Sequence, residues 1–240
     1  MFGVDRTLLR EAALKFEAAR GLRWVIGGAC SGKSAVCETI ASWTGVPVFD
    51  MDEHVFGRYM SCYSASRHPA SSAWFKRGDG LAWVLSLPWE VFDDLNRATN
   101  AEFLDLVAED VAQRYGEGPV LVDGGITHPS VLAAAVEPAR IACLAVADAE
   151  SGRIWEEDEA RSGMRHAVER LPGGDRWATF LAFNARMSAT IEREAREQGI
   201  AVFERTPDVP LEVLSRAVMR SLGLDAEDGV AGVGRDLGSP

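Results

Sequence analysis

The stretch GGACSGKS (residues 27–34) decides the fold, because it follows an apolar run, LRWVI (residues 22–26), and precedes a helical pattern, KSAVCETIASW. It fits the pattern G-x-x-x-x-G-K-S between Gly27 and Ser34. Glycines allow backbone N–H groups to turn inward around a phosphate, and the N-terminus of the following helix adds a positive partial charge. The sequence therefore predicts a buried strand, a phosphate-binding loop and a helix, in that order.

The loop residues predict nucleotide binding, with different roles for Lys33 and Ser34. The Lys33 ammonium is expected to reach the β- and γ-phosphates of ATP, and the Ser34 hydroxyl to ligate Mg²⁺. The guanine-specific pattern Asn-Lys-x-Asp does not occur in the sequence, which favours ATP over GTP. An ordinary glycine-rich turn is the alternative. The predicted nucleotide-binding residues are Gly27, Gly28, Ala29, Cys30, Ser31, Gly32, Lys33 and Ser34.

Acidic residues follow the next two predicted strands. Asp50 ends VPVFD, and Asp52 follows it after one residue. Asp123 ends PVLVD and precedes two glycines. The carboxyl ends of parallel strands meet at one edge of a sheet, where ligands bind. We expect Asp50 or Asp123 to hold Mg²⁺ through water beside Ser34, and Asp52 to orient or deprotonate an acceptor hydroxyl. The alternatives are a helix N-cap or solvated turn for the first pair and a plain turn for Asp123.

Short apolar strands alternate with helical patterns along the whole chain, which is typical of a parallel sheet covered on both faces. A long helix is predicted over residues 176–198, with Asp175 as its N-cap and Gly199 at its end. The predicted organisation is one domain over residues 1–222, with a helical acceptor-binding segment at 54–116, a lid at 150–175 and a flexible tail at 223–240.

The phosphate loop followed by VFDMDEHVFG (residues 48–57) resembles the shikimate kinase and gluconate kinase branch of the nucleoside monophosphate kinase-like P-loop proteins. VLVDGG (residues 120–125) resembles the third-strand segment of the same group. The resemblance implies a five-stranded P-loop NTPase sheet of order 2-3-1-4-5, ATP-dependent phosphoryl transfer and a lid that carries arginines. The segment at 54–116 is longer than in shikimate kinase and lacks a paired-arginine pattern for a carboxylate, so the resemblance does not extend to the substrate.

Two arginines are candidates for that lid. Arg161 and Arg165 are four residues apart, on one face of a helix if the segment is helical. Arginines there would neutralise charge on the phosphoryl group during transfer. A solvated helix whose arginines pair with the acidic residues at 156–159 is the alternative.

Composition limits the classes of partner. The net charge of −11 argues against general nucleic-acid binding. No apolar run reaches the length of a membrane span, and the N-terminus lacks the features of a secretory signal. The four cysteines lack metal or disulfide spacing, so we expect a reducing, cytoplasmic setting.

The sequence thus predicts a small-molecule kinase that moves the γ-phosphoryl group of ATP to a hydroxyl or a phosphate. Two alternatives stay open. One is a regulatory ATPase whose segment at 54–116 binds a protein partner. The other is a kinase that acts on a nucleotide or on dephospho-coenzyme A.

Overall fold

Five strands form a parallel sheet within residues 2–159 and 162–224, the part of the chain that the structure, a computed structural model, describes. The strands are β1 (Leu22–Gly27), β2 (Val48–Asp50), β3 (Val120–Asp123), β4 (Ile141–Val146) and β5 (Ala201–Arg205). Their order is β2-β3-β1-β4-β5, and each neighbouring pair is parallel. The predicted α/β class and the strand order 2-3-1-4-5 are therefore confirmed.

Helices connect the strands and cover both faces of the sheet. The helices are α1 (Arg6–Ala18), α2 (Lys33–Thr44), α3 (Met51–Phe56), α4 (Pro69–Phe75), α5 (Gly80–Val84), α6 (Trp89–Arg114), α7 (Pro129–Ala133), α8 (Asp148–Glu157), α9 (Ser162–Glu169), α10 (Arg176–Glu197) and α11 (Leu211–Ser221). Short 3-10 helices lie at Arg58–Ser61 and Pro138–Arg140. The Asp175 carboxylate accepts a hydrogen bond from the Ala178 N–H, so its predicted role as the N-cap of α10 is confirmed.

The central strands are buried on both faces because helices lie above and below them. Within β1, Trp24 and Ile26 pack against one core, and Val25 packs against the other. This alternation follows the two-residue period of a strand. The first core includes residues of α1, α6 and α10, and the second includes residues of α2 and α11.

Helix α6 carries buried carboxylates that hold the preceding segment in place. Glu102 accepts hydrogen bonds from the N–H groups of Ala70 and Ser71, at 2.9 and 2.7 Å, at the start of α4. Asp105 accepts from both guanidinium branches of Arg67 at 2.8 Å. A buried carboxylate without such donors costs several kcal/mol, so these bonds fix the position of α4 against α6.

The element boundaries differ from the predicted ones by one or two residues at most ends. Strand β2 begins at Val48 rather than at the expected Val46. Helix α2 ends only at Thr44, with Gly45 as its C-cap, so the strand starts later. Of the predicted tail, Gly223 and Leu224 complete the end of α11 through backbone hydrogen bonds to Arg220 and Met219. Residues 225–240 lie outside the described part of the chain.

None of the helices in the described ranges combines the length and the apolar character that crossing a membrane requires.

Candidate active site

The loop between β1 and α2 has the backbone of an anion-binding loop. Gly27, Cys30 and Gly32 all have positive φ angles, of 151°, 65° and 87°. At Gly27 an added Cβ would strike the carbonyl oxygen of Leu144, so only glycine fits there. Gly32 is the N-cap residue of α2, and the loop therefore leads directly into the positive end of that helix.

Lys33 and Ser34 are the first two residues of helix α2, directly after this loop. The Lys33 Nζ donates a hydrogen bond to the Gly28 carbonyl oxygen at 2.9 Å, which holds the ammonium over the loop. The Ser34 hydroxyl bonds to the Asp123 carboxylate at the end of β3. Ser34 and Asp123 lie on separate elements, and the sheet brings them into hydrogen-bonding contact.

Asp123 is a buried carboxylate with unused bonding capacity. Its side chain belongs to a residue that is only 6% exposed, and its Oδ1 has no hydrogen-bond partner among the described residues. Burial raises the pKa of Asp123, with further upward contributions from Asp50, while Ser34 and Lys33 act in the opposite direction. A buried oxygen without a partner beside a serine hydroxyl is a fitting pair of ligands for a divalent cation.

Asp50 and Asp52 lie beside Asp123, one on each side of the junction between β2 and α3. Asp50 is the Cα partner of Asp123 across the parallel strands, and its carboxylate also accepts from the Glu53 N–H at 2.9 Å as the N-cap of α3. Asp52 faces the cleft, where burial, Asp50 and Asp123 raise its pKa and Lys33 counteracts them. The helix-cap alternative is thus observed for Asp50 together with its place in the acidic cluster.

The turn after β3 brings Lys33 and Asp52 to one place. Gly124 and Gly125 both have positive φ, at 74° and 73°. A Cβ at Gly124 would lie 3.4 Å from the Lys33 Cε and 3.7 Å from the Asp52 Oδ2, and one at Gly125 would collide with the Met51 side chain. The Lys33 side chain and the Asp52 carboxylate thus both lie close to Gly124, and the positive φ angles favour glycine at both positions.

These carboxylates do not form a metal site by themselves. Within residues 2–159 and 162–224, no group of three or more His, Cys, Asp or Glu side chains is arranged to hold a metal ion. A Mg²⁺ ion at Ser34 and Asp123 would therefore complete its octahedral coordination with phosphate oxygens and water, as Mg²⁺ does in phosphoryl-transfer sites.

The phosphate loop opens onto a cavity of about 480 Å³. Its floor includes Gly28, Lys33, Ser34 and Asp52. Its wall is formed by side chains of α3, α4, α5, α6, α8, α9 and α10, most of them apolar or aromatic. Trp74 lines this cavity.

Of the two predicted lid arginines, the structure describes Arg165, and it does not belong to this cluster. Arg161 lies outside the described residues. Arg165, on α9, donates to Glu169 of its own helix at 2.8 Å, and its guanidinium lies 5.6 Å from the centre of the Trp177 ring. It does not line the cavity. The catalytic role of both arginines stays a prediction. Arg165 pairs with Glu169, which lies outside the acidic stretch at 156–159 that the alternative named.

Sequence reasoning missed residues that contact the loop from distant elements. The Arg205 Nη1, at the end of β5, donates to the Cys30 carbonyl oxygen at 2.7 Å. The Ser188 side chain of α10 packs so closely on Gly28 that a Cβ there would collide with it. The position of Arg205 at the carboxyl end of a predicted strand was a usable signal. Ser188 gave none, because its contact depends on how α10 packs.

No protein-family profile matches the chain, and no curated protein matches it at a significant level. Solved structures of similar fold include TT1252 from Thermus thermophilus, with 21% sequence identity and a TM-score of 0.49 over 87% of this chain and 97% of that one. They also include shikimate kinase from Acinetobacter baumannii in complex with shikimate, with 14% identity and a TM-score of 0.47 over 90% of this chain and 99% of that one.

The strand order and the loop themselves define the class of fold. A parallel sheet of order 2-3-1-4-5, with a glycine-rich loop between its central strand and the next helix, is the P-loop NTPase fold. The fold expected from the sequence resemblance is confirmed.

Proposed function

We propose that the protein is an ATP-dependent phosphotransferase that transfers the γ-phosphoryl group to a small-molecule acceptor. The observation that carries this proposal is the position of Lys33, Ser34, Asp52 and Asp123, which meet where the phosphate loop opens onto the cavity of about 480 Å³. A volume of this size is typical of small-molecule sites. Nucleotide hydrolysis alone would not require it.

The loop residues bind the nucleotide phosphates in this proposal. The backbone N–H groups of residues 27–34 and the N-terminus of α2 surround the phosphates, and the Lys33 ammonium neutralises charge on the β- and γ-phosphates. Ser34 and, through water, Asp123 or Asp50 would hold Mg²⁺, which would supply further positive charge to the phosphate oxygens.

Asp52 acts on the acceptor. The acceptor hydroxyl oxygen forms a bond to the γ-phosphorus, and the bond from that phosphorus to the β–γ bridging oxygen breaks, so that ADP leaves with the electron pair. The hydroxyl proton passes to the Asp52 carboxylate. The raised pKa of Asp52, caused first by burial and then by its acidic neighbours, makes it a stronger proton acceptor than an ordinary aspartate.

The first experiment is Mg-ATP turnover with and without a panel of small alcohols and phosphate esters, with Lys33→Ala as the control. We expect one acceptor class to stimulate ADP release, and the phosphorylated acceptor to be detected by mass spectrometry, only with intact Lys33. Tight ATP binding with slow, unstimulated hydrolysis across the panel would refute the kinase. It would favour a regulatory ATPase whose segment at 54–116 binds a protein.

A further inference from the structure

We propose that the acceptor is an uncharged, largely apolar alcohol that carries an aromatic or similarly bulky ring. This inference rests on the proposed phosphotransferase function and names the substrate class of the same site. It removes carboxylic acids and phosphate esters, which the sequence alone left open, from the acceptors of this cavity.

The wall of the cavity is strongly aromatic. The rings that line it come from α3, α4, α6, α8 and α10, and include Phe56, Trp74, Phe92, Trp155 and Phe183. Phe92 and Phe183 pack with their ring centroids 4.8 Å apart, which joins α6 to α10 on this wall. Aromatic surfaces bind apolar and ring-bearing groups through burial and offset stacking, so the wall favours a flat apolar ligand.

The charges in the cavity do not suit an anionic acceptor. Of the described residues that line it, Lys33 is the one basic side chain, and the nucleotide phosphates engage it in the proposed function. Asp52 is also in the lining and would repel a second anion. A carboxylate or phosphate buried against aromatic rings without a cation would lose its hydration without compensation.

Three arginines of the acceptor segment form ion pairs outside the cavity. Arg58 pairs with Asp110 at 3.3 Å, Arg67 with Asp105 at 2.8 Å, and Arg77 with Asp79 at 3.0 Å. None of these arginines lines the cavity. These three cations thus pair with carboxylates of the helical segment itself.

The polar groups of the wall are neutral amides. Asn100 uses its Oδ1 to accept from the N–H groups of Thr127 and His128, at 2.9 and 2.8 Å, and its Nδ2 makes no hydrogen bond to a described residue. Asn184 donates from its Nδ2 to the Phe180 carbonyl at 2.9 Å, and its carbonyl oxygen makes no hydrogen bond to a described residue. Both residues line the cavity, so they offer one donor and one acceptor to hydroxyl, ether or amide groups.

The test compares two ligands that share one ring system and differ in charge. Binding of 2-naphthalenemethanol and of 2-naphthoate to the full-length protein is measured by calorimetry without nucleotide, with myo-inositol as a polar, uncharged alcohol. We expect the naphthyl alcohol to bind at least about 10-fold more tightly than either of the others. Equal or tighter binding of 2-naphthoate or inositol, or no binding of the naphthyl alcohol, would overturn the inference.

Phosphoryl transfer separates the inference from the function on which it rests. If Mg-ATP phosphorylates anionic acceptors but not the naphthyl alcohol, the kinase stands and the inference is wrong. If the naphthyl alcohol binds with the expected preference but no acceptor of any class is phosphorylated, the ligand class stands and the proposed kinase is wrong.

Variants place the binding in this cavity. Phe56 lines it and is 60% exposed, so Phe56→Ala leaves the fold intact and should weaken binding of the naphthyl alcohol about 5-fold. Leu14→Ala, at a residue 68% exposed and outside the cavity lining, is the matched control and should leave binding unchanged. Met164→Arg, which adds a cation to the lining, should shift the preference toward 2-naphthoate. Unchanged binding in both Phe56→Ala and Met164→Arg would place the ligand elsewhere and overturn the assignment.

Discussion

The floor and the wall of the cavity are built in opposite ways. The floor, at the phosphate loop with Asp52, uses glycines, backbone groups and charged side chains. The wall, formed by helices between residues 55 and 191, uses large apolar side chains from segments far apart in the chain. Phosphate recognition needs a fixed backbone conformation, which a short local sequence supplies, whereas recognition of the acceptor needs a shape that only packed helices provide.

The largest expected effect is on the floor, from Lys33→Ala. We expect kcat/KM for Mg-ATP to fall by at least about 10³-fold, because the variant removes the charge held over the loop. Lys15→Ala, which removes a partly exposed lysine paired with Glu109, is the control and should retain turnover. Turnover of Lys33→Ala within 10-fold of the wild type would mean that the loop does not act as a phosphate site.

Glu194→Gln tests the support of the wall. The Glu194 carboxylate accepts from the Ser130 hydroxyl and N–H and from Arg97, so it ties α10 to α7 and α6. Burial alone would raise the pKa of Glu194. The hydrogen bonds from His128 and Ser130 outweigh burial and lower the pKa from an ordinary 4.5 to about 2. We expect the free energy of unfolding at pH 7 to fall by about 3 kcal/mol, measured by denaturant titration.

The lowered pKa of Glu194 decides how its contribution to the free energy of unfolding changes with pH. The contribution of Glu194 is fully present above pH 4.5 and is lost as the pH falls toward 2, so the difference between wild type and variant should shrink over that window. Glu197→Gln, at an exposed residue paired with Arg193, is the control and should change stability little. A difference that stays constant down to pH 2 would contradict this assignment.

Asp52→Asn separates chemistry from binding at the floor. We expect ATP affinity to be retained and kcat for the transfer to fall about 10²-fold, since the proton acceptor is lost. Because its pKa is raised, the wild-type rate should decline on acidification at a pH above that typical of an exposed aspartate, and this limb should disappear in the variant. Glu53→Gln on the next residue is the control. Full activity of Asp52→Asn would remove Asp52 from the mechanism.

The smallest expected effect concerns the support of the loop from β5. Arg205→Ala removes the hydrogen bond to the Cys30 carbonyl and should weaken ATP binding about 10-fold, measured by calorimetry. Arg216→Ala, at an arginine stacked on Trp43 of α2, is the matched control. Equal ATP affinities in the two variants would show that the loop keeps its conformation without Arg205.

The sequence predicted the floor well because each part is encoded locally. The phosphate loop requires glycine where φ is positive, and the carboxylates require strand ends, so both leave a pattern. The same reasoning failed to find Ser188 and Arg205 as loop contacts, and it did not identify the partners of Arg58, Arg67 and Arg77. Their ion pairs with Asp110, Asp105 and Asp79 depend on the arrangement of α4 to α6, which has no periodic signal that indicates a partner.

The sequence alone determined the α/β class, the strand order by resemblance, and the glycine-rich loop that we propose as the phosphate site. The tertiary structure decided that the rings of α3, α4, α6, α8 and α10 enclose one cavity beside that loop, and that Asn100 and Asn184 face it. The physical reason is the range of the interactions. Backbone conformation and helix capping act over a few residues, whereas the enclosure of a ligand depends on side chains that meet only after the helices have packed.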